Sequence, residues 1–119
     1  MQKCILIYDD DIETLNVCKV ILQNKNYRVE TFANCENIVD DIISVRPDVI
    51  LMDLWIPKIG GENAISLMRD DVSMSHIPVI LFSANDDIEK ISRKIKANGY
   101  LKKPFDISIF MQTIEGQFS

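Results

Sequence analysis

The sequence predicts an α/β fold: a three-layer, doubly wound (βα)5 arrangement with a parallel five-stranded sheet between helices. Three observations carry this. Strand-like and helix-like segments alternate along the whole chain. Two of the runs, Val49-Ile50-Leu51-Met52 and Val79-Ile80-Leu81-Phe82, are apolar at every position, as strands buried on both faces are. Five βα units joined by right-handed crossovers give a parallel sheet with helices on both sides. The 119 residues fit one domain, 1–119, and an apolar content of 47% supplies one packed core.

The elements follow in order. Residues 3–8 read as a buried strand. Over 11–24, Ile12, Leu15, Cys18 or Lys19, and Leu22 recur near helical spacing, before the polar run Gln23-Asn24-Lys25-Asn26. Tyr27 to Phe32 alternates at period two and suits an outer strand. Residues 35–45 place Ile38, Ile42 and Val45 on one helical stripe that Pro47 stops. Strand 48–53 leads into a loop through Pro57 and Gly61, then a helix over 62–71 carrying Ala64, Ile65, Leu67 and Met68. Pro78 opens the strand at 79–82. A helix at about 86–97 is expected to end in a left-handed cap at Asn98-Gly99. A short fifth strand at 99–102 and a last helix, capped by Asp106 and running to about 117, complete the pattern.

Composition removes several function classes. The net charge of −5 opposes direct binding to a nucleic-acid backbone. No apolar run approaches the roughly 20 residues a membrane-spanning helix needs, and Met1-Gln2-Lys3 leads into the first strand without a signal-peptide pattern. Cys4, Cys18 and Cys35 lack CxxC spacing and read as reduced core thiols of a cytoplasmic protein. The last helix is expected to end close to Ser119 with no further domain after it, which fits either a stand-alone protein or one domain excised from a longer chain.

The chemistry lies at the carboxyl ends of the strands. Asp53 ends the 49–52 run, Asp9-Asp10-Asp11 follows the first strand, and Lys103 follows the fifth. In an open parallel sheet such positions converge on one crevice. Asp10 with Glu13 three residues on makes a capping-box pattern, so Asp10 or Asp11 is expected to cap the first helix. Capping leaves the other carboxylates unexplained, and their mutual repulsion favours a bound cation. Oxygen ligands without His or Cys point to Mg²⁺ or Mn²⁺. Three carboxylates, a divalent cation and one lysine sum to zero charge, so a phosphoryl group can enter without an uncompensated charge. Asp53 is then a nucleophile that forms an aspartyl phosphate. Strand alternation lets only one of Lys102 and Lys103 point into the crevice, and the Lys103-Pro104 bond is a candidate cis peptide. Ser83 either satisfies local backbone groups or donates to a phosphoryl oxygen.

These segments together resemble the response-regulator receiver domains of two-component signalling. The resemblance rests on Ile5-Leu6-Ile7-Tyr8-Asp9-Asp10-Asp11, Ile50-Leu51-Met52-Asp53-Leu54-Trp55-Ile56-Pro57 with Gly61, Ile80-Leu81-Phe82-Ser83-Ala84, and Gly99-Tyr100-Leu101-Lys102-Lys103-Pro104-Phe105. It implies a flavodoxin-like strand order 2-1-3-4-5, Asp53 as phosphoacceptor, Asp9 and Asp10 as an acidic pair, and Lys103 as the phosphate-pairing lysine. It also implies a Mg²⁺ ligated by Asp9, Asp10, Asp53 and the Trp55 backbone carbonyl. Ser83 and Tyr100 take the places of the switch hydroxyl and switch aromatic. The partners implied are a sensor histidine kinase or phosphotransfer protein, with homodimerisation through the 86–117 face as an option. Such a domain is no classical enzyme and catalyses only its own phosphorylation and dephosphorylation.

Tyr8, where a small aliphatic is usual, reads as a core aromatic. Trp55 is large for a site rim, and Gly60 replaces a frequent aspartate and should loosen its loop. Trp55 and Asn85 hold the positions that govern hydrolytic water in receivers, which implies a long-lived phosphorylated state. A non-phosphorylated, receiver-like interaction module is the main rival reading. Flavin binding would need a Gly/Ser/Thr-rich loop where this chain is acidic. A haloacid-dehalogenase-like phosphatase would need an aspartate at the position of Trp55.

Overall fold

The apolar runs form the strands expected of them: β1 (Cys4–Tyr8), β2 (Arg28–Phe32), β3 (Val49–Asp53), β4 (Val79–Ser83) and β5 (Gly99–Lys102). The computed structural model describes residues 2–56 and 60–118; Pro57 of the expected loop lies outside them. All pairings are parallel, in the order β2-β1-β3-β4-β5. β1, β3 and β4 are buried at every residue, which explains why they read as continuous rather than alternating hydrophobic runs.

Between the strands lie α1 (Ile12–Gln23), α2 (Ile38–Val45), α3 (Gly61–Arg69), α4 (Ile88–Lys94) and α5 (Ile107–Glu115), the last followed by a 3-10 turn at Gly116–Phe118. The helices divide three and two. Ile38, Ile42, Ala64, Ile65, Met68 and Ile88 of α2, α3 and α4 pack with Leu6, Ile50 and Met52 on one face of the sheet. Leu15, Cys18 and Leu22 of α1 and Phe110, Met111 and Ile114 of α5 pack with Ile7, Leu51 and Phe82 on the other.

The helix ends depart from expectation where side chains compete with the backbone. α1 keeps to expectation, capped by Asp11 of the two candidate aspartates: Asp11 Oδ1 accepts from Glu13 N–H at 3.0 Å and Oδ2 from the Thr14 hydroxyl at 3.0 Å. α2 starts at Ile38, because Asn34 accepts from Glu36 N–H at 3.2 Å and turns the chain before a helix can begin. α4 is shorter at both ends. Asn85 accepts from Asp87 N–H at 2.8 Å ahead of it, and Lys96 takes the left-handed conformation behind it, at φ 58°. The expected left-handed cap at Asn98-Gly99 is therefore displaced to Lys96. Asn98 serves the tertiary structure instead, its Oδ1 accepting from Val79 N–H at 2.9 Å and Arg69 Nη2 at 3.0 Å.

One contact fixes α3 to the strand end that matters. A Cβ at Gly61 would lie 2.3 Å from the Asp53 carbonyl oxygen. Only glycine lets the first turn of α3 approach β3 so closely. Gly60, at φ 78°, turns the chain just before it.

Candidate functional site

The carboxyl ends of β1, β3 and β5 bring Asp9, Asp53 and Lys103 together. Asp9 is fully buried. Its Oδ2 accepts from Lys103 Nζ at 2.7 Å and its Oδ1 from Asp11 N–H at 2.9 Å. Asp53 is 5% exposed. Its Oδ1 accepts from Trp55 N–H at 3.3 Å, and its Oδ2 lies 3.8 Å from Lys103 Nζ. The ammonium also sits 4.5 Å above the centre of the Phe82 ring, whose π-face favours a cation. Backbone pairing of Lys103 N–H to the Ser83 carbonyl at 2.8 Å holds the lysine over the sheet. The alternation argument holds: Lys102 turns away to an ion pair with Asp86. The Lys103-Pro104 peptide is cis.

The exposed Asp10 completes an acidic triad, in which one carboxylate oxygen each from Asp9, Asp10 and Asp53 lie within 4.8 Å of one another. Burial pushes the Asp53 carboxyl up to about 6; the Asp9 charge adds to this and Lys103 opposes it. Three carboxylates face one lysine here, which leaves the pocket short of positive charge. A hard divalent cation fits on three counts: an all-oxygen donor set, oxygens close enough to share one ion directly or through water, and one member open to solvent.

Around this centre, Ser83 is fully buried and its Oγ accepts from Asn85 N–H at 3.1 Å. Tyr100 is 41% exposed on β5, and the indole of Trp55, at 66%, stands on the rim. A cleft of about 460 Å³ opens beside Lys103, with Val17, Cys18, Ala84, Pro104 and Phe105 in its walls. Burial pushes the Cys18 and Cys35 thiols up to about 11, which keeps them protonated and unreactive near neutral pH.

Tyr8 is the residue whose environment the sequence did not disclose. Its ring is buried and stacks on Phe32 with centroids 5.7 Å apart, as a core aromatic should. Its hydroxyl donates to Asp41 Oδ2 at 2.8 Å, across 33 residues to α2, and burial with this bond pushes the phenol far above its ordinary value. The signal available was Asp41 itself, an acid near the apolar stripe of α2. Its partner is long-range and invisible to periodicity.

Comparison with known proteins gives the family and matches the fold. Residues 5–115 match the family model described as the response regulator receiver domain. The polar-differentiation response regulator DivK of Brucella anthropi is 29% identical over 118 residues, which span 97% of this chain and 95% of that protein. A putative response regulator from Chloroflexus aurantiacus superposes with a TM-score of 0.92 at 22% identity, covering 98% of both chains. The chemotaxis protein CheY4 of Vibrio cholerae does so at 0.88 and 23%, again over 98% of both.

Proposed function

The chain belongs to the response-regulator receiver family, and from that premise we propose that it accepts a phosphoryl group on Asp53 from a histidine kinase or phosphotransfer protein. The observation that supports this most directly is the Lys103 ammonium shared between Asp9 and Asp53, at 2.7 and 3.8 Å, beside a third carboxylate. An Asp53 oxygen attacks phosphorus as the donor's bond to phosphorus breaks, and the leaving group departs on the far side. Lys103 pairs with the incoming phosphoryl oxygens. Asp9, Asp10, Asp53 and the Trp55 carbonyl would hold Mg²⁺, which supplies charge compensation for the phosphoryl group when bound. With its carboxyl at about 6, Asp53 is mostly ionised at neutral pH and available as the nucleophile.

The readout belongs to the 86–117 face. Ser83 Oγ gives up its Asn85 N–H partner and turns to the phosphoryl group, and Tyr100 moves from its exposed position into the space behind it. One covalent bond thereby biases two packings that favour different partners or a homodimer. Trp55 and Asn85 stand where they govern the attacking water, and Asn85 cannot act as a base near neutral pH. The phosphorylated state is therefore long-lived.

Incubation with a small phosphodonor and Mg²⁺ should give one acid-stable, hydroxylamine-labile adduct, absent from Asp53→Ala. Full labelling of that variant would overturn the assignment. The rival reading, an unphosphorylated interaction module, predicts no adduct and no response of the single tryptophan, Trp55, to beryllofluoride.

A further inference from the structure

The amino ends of the strands, opposite the acidic crevice, carry a second feature of opposite charge. Two adjoining grooves of about 350 and 520 Å³ share His76 in their walls. Arg46 lines the first, Arg69 and Lys96 line the second, and no carboxylate lines either among the described residues. The first groove has an apolar floor, from the buried Ile42 and Ile77, and Ile43 stands 61% exposed on its rim.

This concentration of positive charge is unusual for a chain of net charge −5. Elsewhere Arg28, Arg93, Lys94, Lys102 and Lys103 each face a carboxylate, and Lys3, Lys19, Lys25 and Lys90, which have no ion pair among the described residues, line neither groove. Arg46, His76 and Lys96 are exposed and have no ion-pair partner among the described residues. The nearby acids are turned to neutral donors. Asp48 accepts from Cys4 N–H at 2.8 Å, and Asp71 from the Ser73 N–H and hydroxyl at 2.9 and 2.6 Å. Arg69 is already spent on structure, donating to the carbonyls of Ser75 and Ile77 at 2.5 and 2.9 Å and to Asn98. Arg46 and Lys96 follow the last turns of α2 and α4, where a cation complements the helix dipole. That accounts for basic residues at two helix ends. It does not account for His76, which follows no helix, or for an apolar-floored groove without a counter-charge.

We infer that this groove is a docking site for an acidic peptide segment with an aliphatic anchor, contributed by a partner protein. The anchor sits on Ile42, Ile43 and Ile77, and the acidic side chains meet Arg46, His76 and Lys96. Potential complementarity of this kind sets partner choice and encounter rate. The site lies at the far end of the sheet from Asp53, and its anchor residues with Arg46 and His76 lie outside the 86–117 face, which contributes only Lys96 to the contact, so the segment stays bound whether or not Asp53 is phosphorylated. It tethers the receiver and does not report its state.

The test is fluorescence anisotropy of the full chain with a labelled Asp/Glu-rich peptide containing a central leucine pair. Binding should weaken roughly tenfold or more from low to physiological salt. It should also weaken about tenfold in Arg46→Glu/Lys96→Glu, and in Ile43→Ser with the charges kept. Asp53→Ala should bind like the parent, which separates this site from the phosphoacceptor reading. Thermal melts of the exposed-residue variants identify any loss that reflects unfolding. Binding that survives charge reversal in a folded variant would overturn the inference. So would equal binding of a control peptide with Asn and Gln in place of each Asp and Glu, or competition by inorganic tripolyphosphate with no dependence on the leucines, which would mark a plain anion site.

Discussion

Lys103→Met should destabilise the protein by about 2–4 kcal/mol in magnesium-free buffer near pH 8, because it strips the counter-charge from two buried carboxylates. Asp9 is fully buried and Asp53 nearly so, and the Lys103 ammonium lies against both. Methionine keeps the length and the contact with Phe82 but none of the charge. The remedy open to the site is protonation. Without the lysine, the Asp53 carboxyl rises beyond about 6, since Lys103 is the larger of the two influences that lower it, ahead of the Trp55 N–H. A carboxyl held above its unfolded value gives stability that is full at low pH and lost as pH rises through the folded value. The penalty of the substitution should therefore be largest at pH 8 and shrink toward pH 5. Removing a cation from the mouth of the triad should also tighten Mg²⁺ binding, even as phosphoryl transfer falls. Urea denaturation across this range with and without Mg²⁺ measures both. A loss below about 1 kcal/mol that does not vary with pH would show that the ammonium is not the counter-charge for Asp9 and Asp53.

That cluster was legible in the sequence for a simple reason. Asp9, Asp53 and Lys103 each end an apolar run, and in a parallel sheet all strand ends of one sense lie on one edge. Once 3–8, 48–53 and 99–102 are read as parallel strands of one sheet, their meeting follows. The features that escaped depend on partners distant in sequence. Asn98 before Gly99 looks like a helix cap, yet its amide is drawn to Val79 and Arg69, and the left-handed residue becomes Lys96. Tyr8 carries no local sign that its hydroxyl reaches Asp41. Cys35 was placed in a helix but sits buried ahead of α2, its Sγ 3.7 Å from the Gly60 carbonyl, so the loop before α2 braces the loop after β3. Local pattern fixes which residues form strands; the competition of side chains for stray backbone groups decides where helices stop.

Asp53→Asn should have the opposite sign. Asparagine keeps the volume of the side chain and an oxygen for the Trp55 N–H, and removes one of the crowded charges. In the parent, burial and the Asp9 charge hold Asp53 at about 6, above the ordinary 3.8. At about 1.4 kcal/mol per pH unit this is worth at most roughly 3 kcal/mol, and screening at the open mouth of the crevice brings it to about 1–2 kcal/mol. Between the two values the folded protein holds a proton that the unfolded chain releases, so the stability of the parent declines as pH rises from about 4 to about 6. The variant lacks this decline. It should melt about 5 °C above the parent at pH 8 without divalent ions, and the gap should close as pH falls below 5. Millimolar Mg²⁺ should reverse the order, because an ion that binds only the folded triad stabilises the parent by mass action and has one carboxylate fewer to hold it in the variant. The proposed phosphoacceptor, kept at a cost to folding, is recognisable by this pairing: the protein is more stable without its charge, and regains that stability only when a cation arrives. If Asp53→Asn melts no higher than the parent at pH 8 in the presence of a chelator, the crowding of charge at this site has been overestimated and the electrostatic case for the cation fails with it.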